Sequence, residues 1–305
     1  MRARVISVVL SIVACTLALP VWSATPFPLA SSNVLVVDDS TGLALLEKDA
    51  DSSVPMASLT KLMTAMVVLD AGQSLAEMLL VTDDDLDRLK HTRRGVAVGT
   101  LLPRGQMLEL ALQASDNRAA SALARHYPGG MAAFVHAAAL KARDLGLRHT
   151  VIVEPTGLSP QNMSSAADMV AVLQAAGDYA LIETATRSAH RQMLLQGRLH
   201  TVHNTNRLIG RDGWDILLSK TGFTNEAGRC LAMRIQEAGR VVRVVLLGGF
   251  ERDARDLDVL NIRRYLRGQA PLAVLPQATV VAVKPGAPKA RDFKGTKPPR
   301  PAALA

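Results

Sequence analysis

Apolar residues along this chain follow two different spacings, and the change between them predicts where strands and helices lie. Near the start, residues 33–38 and 43–47 are short apolar runs around the turn sequence Asp39-Ser40-Thr41-Gly42, which predicts a β-hairpin. Similar short runs return after residue 191, at residues 193–195, 216–219, 230–235 and 241–247. Strands are therefore expected towards both ends of the folded chain.

The segment between these strands is rich in alanine and has helical spacing. In the first predicted helix, residues 58–69, apolar residues recur every three or four positions and Gly72 follows as a stop. A second helix begins at Pro103 and breaks at residues 115–117. Further helices are predicted over residues 118–126, 131–145, 166–176 and 253–266. This order predicts one sheet assembled from distant segments, with a helical lobe beside it.

The first 24 residues have the pattern of a signal peptide. Arg2 and Arg4 precede an apolar run over residues 5–19, and small residues follow up to Ala24, so we expect cleavage near that position and a periplasmic protein. The sequence before Cys15 resembles a lipoprotein box, but the apolar residues after it do not resemble a lipoprotein tether. Residues 25–32 are expected to be a short lead into the first strand.

The composition bounds the core and the partners. The chain is 49% hydrophobic and only 3% aromatic, so Leu, Val, Ala and Met must fill the core. The net charge of +8 comes mostly from the signal peptide and from residues 271–305, which hold six basic residues and one acid. The body between them is nearly neutral, so no nucleic-acid partner is expected. Residues 268–305 are rich in Pro, Ala and Lys without periodicity and are predicted to be a disordered tail.

Three short motifs carry the candidate chemistry. They occur in the order Ser58-Leu59-Thr60-Lys61, Ser115-Asp116-Asn117 and Lys220-Thr221-Gly222. Together they provide a hydroxyl nucleophile, two lysines and an amide, as an acyl-transfer enzyme requires. Each motif also has an ordinary alternative, a helix cap for the first two and a strand end with a turn for the third. All three alternatives would have to hold at once, and we therefore favour the acyl-transfer site.

The first motif has the spacing that a serine nucleophile and its base need. Ser58 and Lys61 are three residues apart on a predicted helix and share one face. A lysine can accept the serine proton only when it is neutral, and burial or a nearby cation such as Lys220 lowers a lysine pKa. The N-terminus of the helix also directs backbone N–H groups toward the nucleophile, as an oxyanion hole requires.

These motifs and their flanks resemble the low-molecular-mass penicillin-binding proteins, which are serine D-Ala-D-Ala peptidases. The resemblance covers residues 33–267 and is greatest to the small periplasmic type 7 group, regarded as D,D-endopeptidases. It includes five segments, residues 55–64, 114–120, 154–159, 204–208 and 219–224. The family's catalytic fold is an α/β (α+β) arrangement in which helices flank an antiparallel sheet. No segment resembles the second β-rich domain or the amphipathic C-terminal helix of the larger carboxypeptidases.

The resemblance implies roles for the motif residues. Ser58 would be the acylated nucleophile, Lys61 its general base, and Ser115 a relay that passes the proton to the leaving amine. The oxyanion hole would consist of the backbone N–H groups of Ser58 and Phe223. The expected substrate-binding residues are Asn117, Lys220, Thr221, Gly222 and Phe223.

The function that this resemblance implies is hydrolysis of the D-Ala to diamino-acid cross-links of peptidoglycan through a serine acyl-enzyme. The expected partners are peptidoglycan stem peptides and β-lactam antibiotics, with a weak contact between the tail and an anionic membrane surface or murein. No cofactor and no metal are expected. A D-alanyl-D-alanine carboxypeptidase, a serine β-lactamase and a non-catalytic penicillin or peptidoglycan receptor remain as alternatives.

Four other sequence features have simpler interpretations. Glu154 precedes Pro155, as in the loop of class A β-lactamases, but no asparagine follows at position 158, so we interpret Glu154 as structural. His200 and His203 have the spacing of a metal pair but fall in a β-type stretch. Residues 83–85 form an acidic run that is expected to be a loop or helix start. Cys230 would be left without a disulfide partner in the processed chain, as a buried small hydrophobe.

Overall fold

The structure is a computed structural model that describes residues 28–92 and 95–273. The predicted signal peptide, the lipoprotein-like sequence and the basic stretch from residue 274 onward lie outside the described residues. Within those two ranges, none of the helices has the length and apolar character needed to span a membrane.

The described chain contains eleven strands and seven α-helices. The strands are β1 (Asn33–Asp38), β2 (Ala44–Lys48), β3 (Val54–Pro55), β4 (Met78–Leu80), β5 (Leu101–Pro103), β6 (Met163–Ser164), β7 (His190–Leu195), β8 (Arg198–His203), β9 (Asp215–Thr224), β10 (Gly228–Glu237) and β11 (Arg240–Gly249). The helices are α1 (Thr60–Asp70), α2 (Arg104–Gln113), α3 (Asn117–Arg125), α4 (Gly130–Asp144), α5 (Ala166–Ala176), α6 (Ala180–Arg187) and α7 (Ala254–Leu266). Two 3-10 helices, Ala57–Leu59 and Asp83–Asp85, complete the regular structure.

Five strands from the two ends of the described chain form one antiparallel sheet in the order β2-β1-β11-β10-β9. The hairpin β1–β2 joins the C-terminal strands because β1 pairs with β11, with Val36 opposite Val244. The predicted α/β fold, with an antiparallel sheet assembled from distant segments, is confirmed. The strand β9 pairs only with β10 in this sheet and lies at its edge, so its second side faces the helical lobe.

The sheet has a hydrophobic core on each face because side chains alternate along each strand. In β1, Val34 and Val36 join the cluster that contains Val259 of α7. Leu35 and Val37 point the other way, into the larger core that the helical lobe shares. Both faces of β1 are therefore buried, in agreement with its continuous apolar sequence.

The helix α1 runs through the middle of the helical lobe. Nine of its eleven residues are buried, and its neighbours include α2, α3, α4 and α5. A helix that is apolar on every side belongs in a protein interior. Burial of this kind fixes the start of α1, where the Ser58 motif lies, because each fully buried large aliphatic side chain contributes about 1.5–3 kcal/mol.

Several short elements were not predicted from the pattern of apolar residues. The two-stranded sheets β3–β6 and β4–β5 have only two or three residues per strand, too few to show a period. The helix α6 has eight residues, and its buried face consists of Ile182, Ala185 and Thr186, which is a weak apolar signal.

Candidate active site

The eight residues singled out from the sequence motifs lie together where the helical lobe meets β9. Ser58 lies in the 3-10 helix that leads into α1, Ser115 and Asn117 lie at the junction of α2 and α3, and residues 220–223 belong to β9. Ser58 is not a helix cap, because no side-chain capping hydrogen bond exists at the start of either the 3-10 helix or α1. Its hydroxyl is therefore available for other contacts.

Lys61 is at the centre of this group. Its side chain is 1% exposed. The Nζ atom lies 2.9 Å from Ser58 Oγ, 2.7 Å from Asn117 Oδ1 and 2.6 Å from the carbonyl oxygen of Thr156. Three different segments of the lobe thus fix the position of one amine.

Burial lowers the pKa of Lys61 to about 8, because a charged amine loses its hydration inside the protein. The carboxylates of Glu154 and Asp116 act in the opposite direction and raise the pKa of Lys61. About one tenth of this lysine is therefore neutral at pH 7 and about half at pH 8, which supplies the neutral amine that its interpretation as a base requires.

Lys220 is a second buried lysine in the same site, and its side chain is also 1% exposed. It donates hydrogen bonds to Ser115 Oγ at 2.8 Å and to the carbonyl oxygen of Thr221 at 3.0 Å. Its pKa is lowered well below the ordinary lysine value, first by burial and then by the positive charge of Lys61. Burial, rather than the charge of Lys220, is the main cause of the low pKa of Lys61.

The backbone is strained at two residues near the Lys61 amine. Ala57 and Ser115 have φ angles of +48° and +58°, in the left-handed region that residues with a Cβ rarely adopt. Strained residues of this kind cluster at functional sites, where the surrounding structure holds them in place. Here the strained residues lie next to Ser58 and within the Ser115 motif, the two segments that contribute Ser58 and Asn117 to the contacts of Lys61.

Two glycines allow the segments around Ser58 to approach closely. A Cβ at Gly157 would lie 1.9 Å from the carbonyl oxygen of Ala57, and Gly157 also has a φ of +81°. A Cβ at Gly222 would lie 3.1 Å from the amide nitrogen of Ser58. The strand β9 therefore passes directly beside the amide of Ser58.

The carboxylate of Glu154 holds the loop that supplies the Thr156 carbonyl. It accepts hydrogen bonds from the backbone N–H of Thr156 and Gly157, each at 2.7 Å, and from the Thr156 hydroxyl at 2.5 Å. Ser159 N and Asn162 Nδ2 donate two more, at 3.2 and 3.0 Å. Five contacts from its own loop support the structural interpretation of Glu154. The contact from Thr156 to Lys61 was not predicted, because a backbone carbonyl leaves no signal in the residue type.

A second contact that the motifs did not reveal links β9 to the loop after β8. The hydroxyls of Thr205 and Thr221 are 2.7 Å apart, and Asn206 Nδ2 donates to Ser219 Oγ at 2.8 Å. This loop belongs to the segment 204–208 that resembles the family, but the sequence assigned it no role. The contacts make it a wall of the site beside Thr221.

An open cleft of about 720 Å³ leads to these residues. Its lining comprises Thr92, Gly95, residues 114–117 and Phe223. The Phe223 side chain is 56% exposed, and the guanidinium carbon of Arg229 lies 5.1 Å from the centre of its ring. The cleft thus combines polar groups at its base with an aromatic side chain at its mouth.

The other sequence features lie away from this cleft or have structural partners. On β8, His200 is paired with Met193 and His203 with His190. Across residues 28–92 and 95–273, no group of three or more His, Cys, Asp or Glu residues could hold a metal ion. The acidic run forms the second 3-10 helix, in which Asp85 is buried against Arg125.

Cys230 is fully buried, and burial raises the pKa of its thiol to about 11, as expected of a small hydrophobe.

Comparisons with known proteins agree with one another. The profile of the family Peptidase_S11, described as D-alanyl-D-alanine carboxypeptidase, matches residues 21–251. A D-alanyl-D-alanine endopeptidase of Pseudomonas aeruginosa is 41% identical over 87% of this chain and 89% of its own length. One of Escherichia coli with the same name is 40% identical over 78% of this chain and 77% of its own. The crystal structure of the Streptomyces K15 DD-transpeptidase has the same fold, with a TM-score of 0.73 at 24% identity over 81% of this chain and 100% of that chain.

Proposed function

Because this chain belongs to the D-alanyl-D-alanine carboxypeptidase family of serine peptidases, we propose that it is a D,D-endopeptidase that cuts the D-Ala to diamino-acid cross-links of peptidoglycan. Family membership makes the chain a serine-type D-Ala-D-Ala peptidase. The preference for cross-links is supported by the two relatives named D-alanyl-D-alanine endopeptidase, at 41% and 40% identity. The proposed location is the periplasm, reached through a signal peptide over residues 1–24.

The contacts of Lys61 carry the proposed chemistry. A neutral lysine amine has two N–H groups and one lone pair. The oxygens of Asn117 and Thr156 can only accept hydrogen bonds, and they occupy both N–H groups at 2.7 and 2.6 Å. The lone pair is left for the third contact, with Ser58 Oγ at 2.9 Å. Neutral Lys61 is thus oriented to take the hydroxyl proton of Ser58.

The reaction then proceeds in two acyl transfers. Ser58 Oγ attacks the D-Ala carbonyl carbon as its proton passes to Lys61, and the oxyanion is held by the N–H groups of Ser58 and Phe223. The proton that Lys61 took from Ser58 then passes through Ser115, which is hydrogen-bonded to Lys220, to the leaving amine of the diamino acid as the amide C–N bond breaks, and Lys61 becomes neutral again. Water afterwards attacks the ester, gives one proton to Lys61 and breaks the bond to Ser58 Oγ, which regains its proton from Lys61.

The substrate-binding roles follow the same geometry. Lys220 and Thr221 would hold a carboxylate beside the scissile bond, since both lie on β9 next to the cleft. Gly222 allows β9 to approach the Ser58 amide, and Asn117 would hold a substrate amide through its nitrogen while its oxygen orients Lys61.

A D-alanyl-D-alanine carboxypeptidase is the second candidate, favoured by the description of the family profile. It would use the same acyl-enzyme with free D-Ala as the leaving group. A β-lactamase is disfavoured, since all five hydrogen bonds to the Glu154 carboxylate come from its own loop. A non-catalytic receptor would have no need for the contact of Lys61 with Ser58.

Labelling with fluorescent penicillin tests the assignment of the nucleophile. A β-lactam forms a stable acyl-enzyme, so the label should map to Ser58 by peptide mass analysis. Ser58→Ala should abolish labelling, and Lys61→Ala should suppress it by removing the base. Persistent labelling of Ser58→Ala would reject Ser58, and near-normal acylation of Lys61→Ala would reject Lys61 as the base.

A further inference from the structure

A second cavity, of about 640 Å³, lies on the far side of the loop that contacts β9. We call it the distal pocket. It is lined by Ala189, His190, His203, Asn204, Thr205, Asn206, Arg207, Ile209 and Arg211. None of the reacting groups of the candidate active site lines it, so it is a separate space.

The distal pocket is suited to an anion. Two arginines and two histidines line it, and none of its lining residues is acidic. Arg207 and Arg211 are exposed and have no ion pair among the residues that the structure describes. The surrounding segment, residues 184–211, contains five Arg, three His and no Asp or Glu, and of these arginines Arg187 and Arg191 are ion-paired with Glu183 and Glu109. Guanidinium groups bind carboxylates through paired, charge-assisted hydrogen bonds.

Hydrogen bonds fix the wall that the pocket shares with the active site. Asn204 Nδ2 donates to the carbonyl oxygens of Thr186 and Ser188 at 3.0 and 3.1 Å, and the backbone N–H of Asn204 donates to Ala189 at 2.8 Å. Thr205 lines the distal pocket, and its hydroxyl lies 2.7 Å from that of Thr221. One residue therefore separates the pocket from the proposed carboxylate-binding strand.

We propose that the distal pocket binds a free carboxylate of the second stem peptide, the one that leaves as the amine when a cross-link is cut. This inference rests on the proposed function. A carboxypeptidase releases a single D-Ala, whose carboxylate would be held by Lys220 and Thr221, whereas an endopeptidase must accommodate a whole acidic stem beyond that point. Arg207 and Arg211 carry positive charge, opposite to that of the acidic stem. The loop between Asn204 and Asn206, which hydrogen bonds hold in place, positions them beyond Thr221, on the side where the leaving stem would lie.

The test measures binding rather than turnover. In the Ser58→Ala protein, which does not cleave, calorimetry compares a cross-linked dimeric muropeptide with the same dimer whose leaving-stem carboxylates have been amidated. The double variant Arg207→Gln and Arg211→Gln should bind the native dimer about tenfold more weakly, the effect of losing a charge-assisted hydrogen bond. The amidated dimer should bind weakly to both proteins, with no further loss in the double variant.

A matched control comes from the β7–β8 hairpin, of which His190 and His203 line the distal pocket. Arg198 is exposed on β8 and does not line the distal pocket, so Arg198→Gln should bind the native dimer as the parent protein does. The single variant Arg207→Lys, which keeps the positive charge and leaves Arg211 unchanged, should bind the native dimer more tightly than the double variant does. Thermal unfolding of each variant verifies that the fold is retained. Equal binding of the native dimer by the double variant, or an equal loss for the amidated dimer, would overturn the proposal.

Turnover of the protein with Ser58 intact reports separately on the proposed function. If the protein cleaves dimers but the double variant binds them as tightly as the parent protein does, only the proposed role of the distal pocket is rejected. Arginine-dependent binding of the dimer without its cleavage would reject the endopeptidase function and leave the pocket as a stem-peptide site.

Discussion

Among the individual residues, Lys61 is central to the proposed reaction, because its buried amine is the base. The motif spacing predicted that Ser58 and Lys61 share a helix face, and the structure places their side chains 2.9 Å apart. The sequence also predicted that burial or a nearby cation such as Lys220 lowers the pKa of Lys61, and of these two causes burial is the one that the structure supports. Burial of Lys61 could not be foreseen in detail, because it depends on residues from α3 and from the loop after Glu154 that meet only in the folded chain.

The pKa of Lys61 predicts how acylation depends on pH. The base acts when neutral, so the rate of acylation by penicillin should rise with pH and level off above about 8. Below that value the rate should fall about tenfold for each pH unit, as the neutral fraction does. Stopped-flow acylation of the wild-type protein between pH 5 and 10 measures the profile. A rate that is flat between pH 6 and 9 would contradict a titrating base in this range.

Replacing Glu154 by Gln separates its structural role from its charge. An amide cannot accept from all five donors of the loop, so we expect stability to fall by about 1–3 kcal/mol and acylation to slow. The Glu154 carboxylate raises the pKa of Lys61, and its removal should move the acylation profile to lower pH. The exposed Glu47 offers a control, and Glu47→Gln should change neither property.

The lifetime of the penicilloyl enzyme is a second test of whether Glu154 is structural or catalytic. If Glu154 is structural, the wild-type acyl-enzyme should last for minutes or longer. Rapid catalytic turnover of penicillin that Glu154→Gln abolishes would instead make this carboxylate the base of a β-lactamase.

At the element scale, long periodic segments were predicted well and close approaches between segments were not. The strand β1 and the helix α5 occupy the predicted ranges 33–38 and 166–176, since both have continuous or periodic apolar sequences with clear boundaries. The contact between the loop of Gly157 and the start of the Ser58 motif has no such signal. It joins two segments about 100 residues apart in sequence. The contact between Thr205 and Thr221 likewise joins two separate elements, a loop and an edge strand.

Gly157→Ala should damage the site through this contact. The new Cβ would lie 1.9 Å from the Ala57 carbonyl oxygen at a φ of +81°, so we expect a loss of about 2–4 kcal/mol and slower acylation. Gly146→Ala is the matched control, because Gly146 also has a positive φ, +68°, but nothing within 4 Å of a Cβ. That variant should lose about 1 kcal/mol and keep its acylation rate. Equal losses of stability and acylation in the two variants would contradict the importance of the close approach.

For the molecule as a whole, the described chain contains every candidate site residue and the first six residues of the predicted tail, residues 268–273. Leu272 still contacts the folded part, since its N–H donates to Asn261 Oδ1 of α7 at 2.7 Å and Asn261 Nδ2 donates to the Leu272 carbonyl at 3.1 Å. The apolar pattern could not predict this contact, because a single asparagine makes it. The boundary of the catalytic domain is therefore better tested after residue 273 than after residue 267.

Truncation after Ala273 should leave turnover of soluble substrates unchanged. It removes six basic residues and one acid, so binding to anionic vesicles or sacculi at low ionic strength should weaken, given about 1 kcal/mol per basic residue near an anionic surface. Raising the salt concentration should remove the difference between the full-length and truncated proteins. Equal binding of both at low salt would leave the tail without an electrostatic role.

Product analysis of defined muropeptides distinguishes an endopeptidase from a carboxypeptidase. Purified protein is incubated with cross-linked dimers and with monomeric pentapeptides, and the products are identified by mass spectrometry, with Ser58→Ala as the inactive control. We expect the protein to convert dimers to monomers faster than it removes D-Ala from pentapeptides, and we expect Ser58→Ala to do neither. Loss of D-Ala from pentapeptides while dimers stay intact would contradict the endopeptidase function and make the protein a carboxypeptidase.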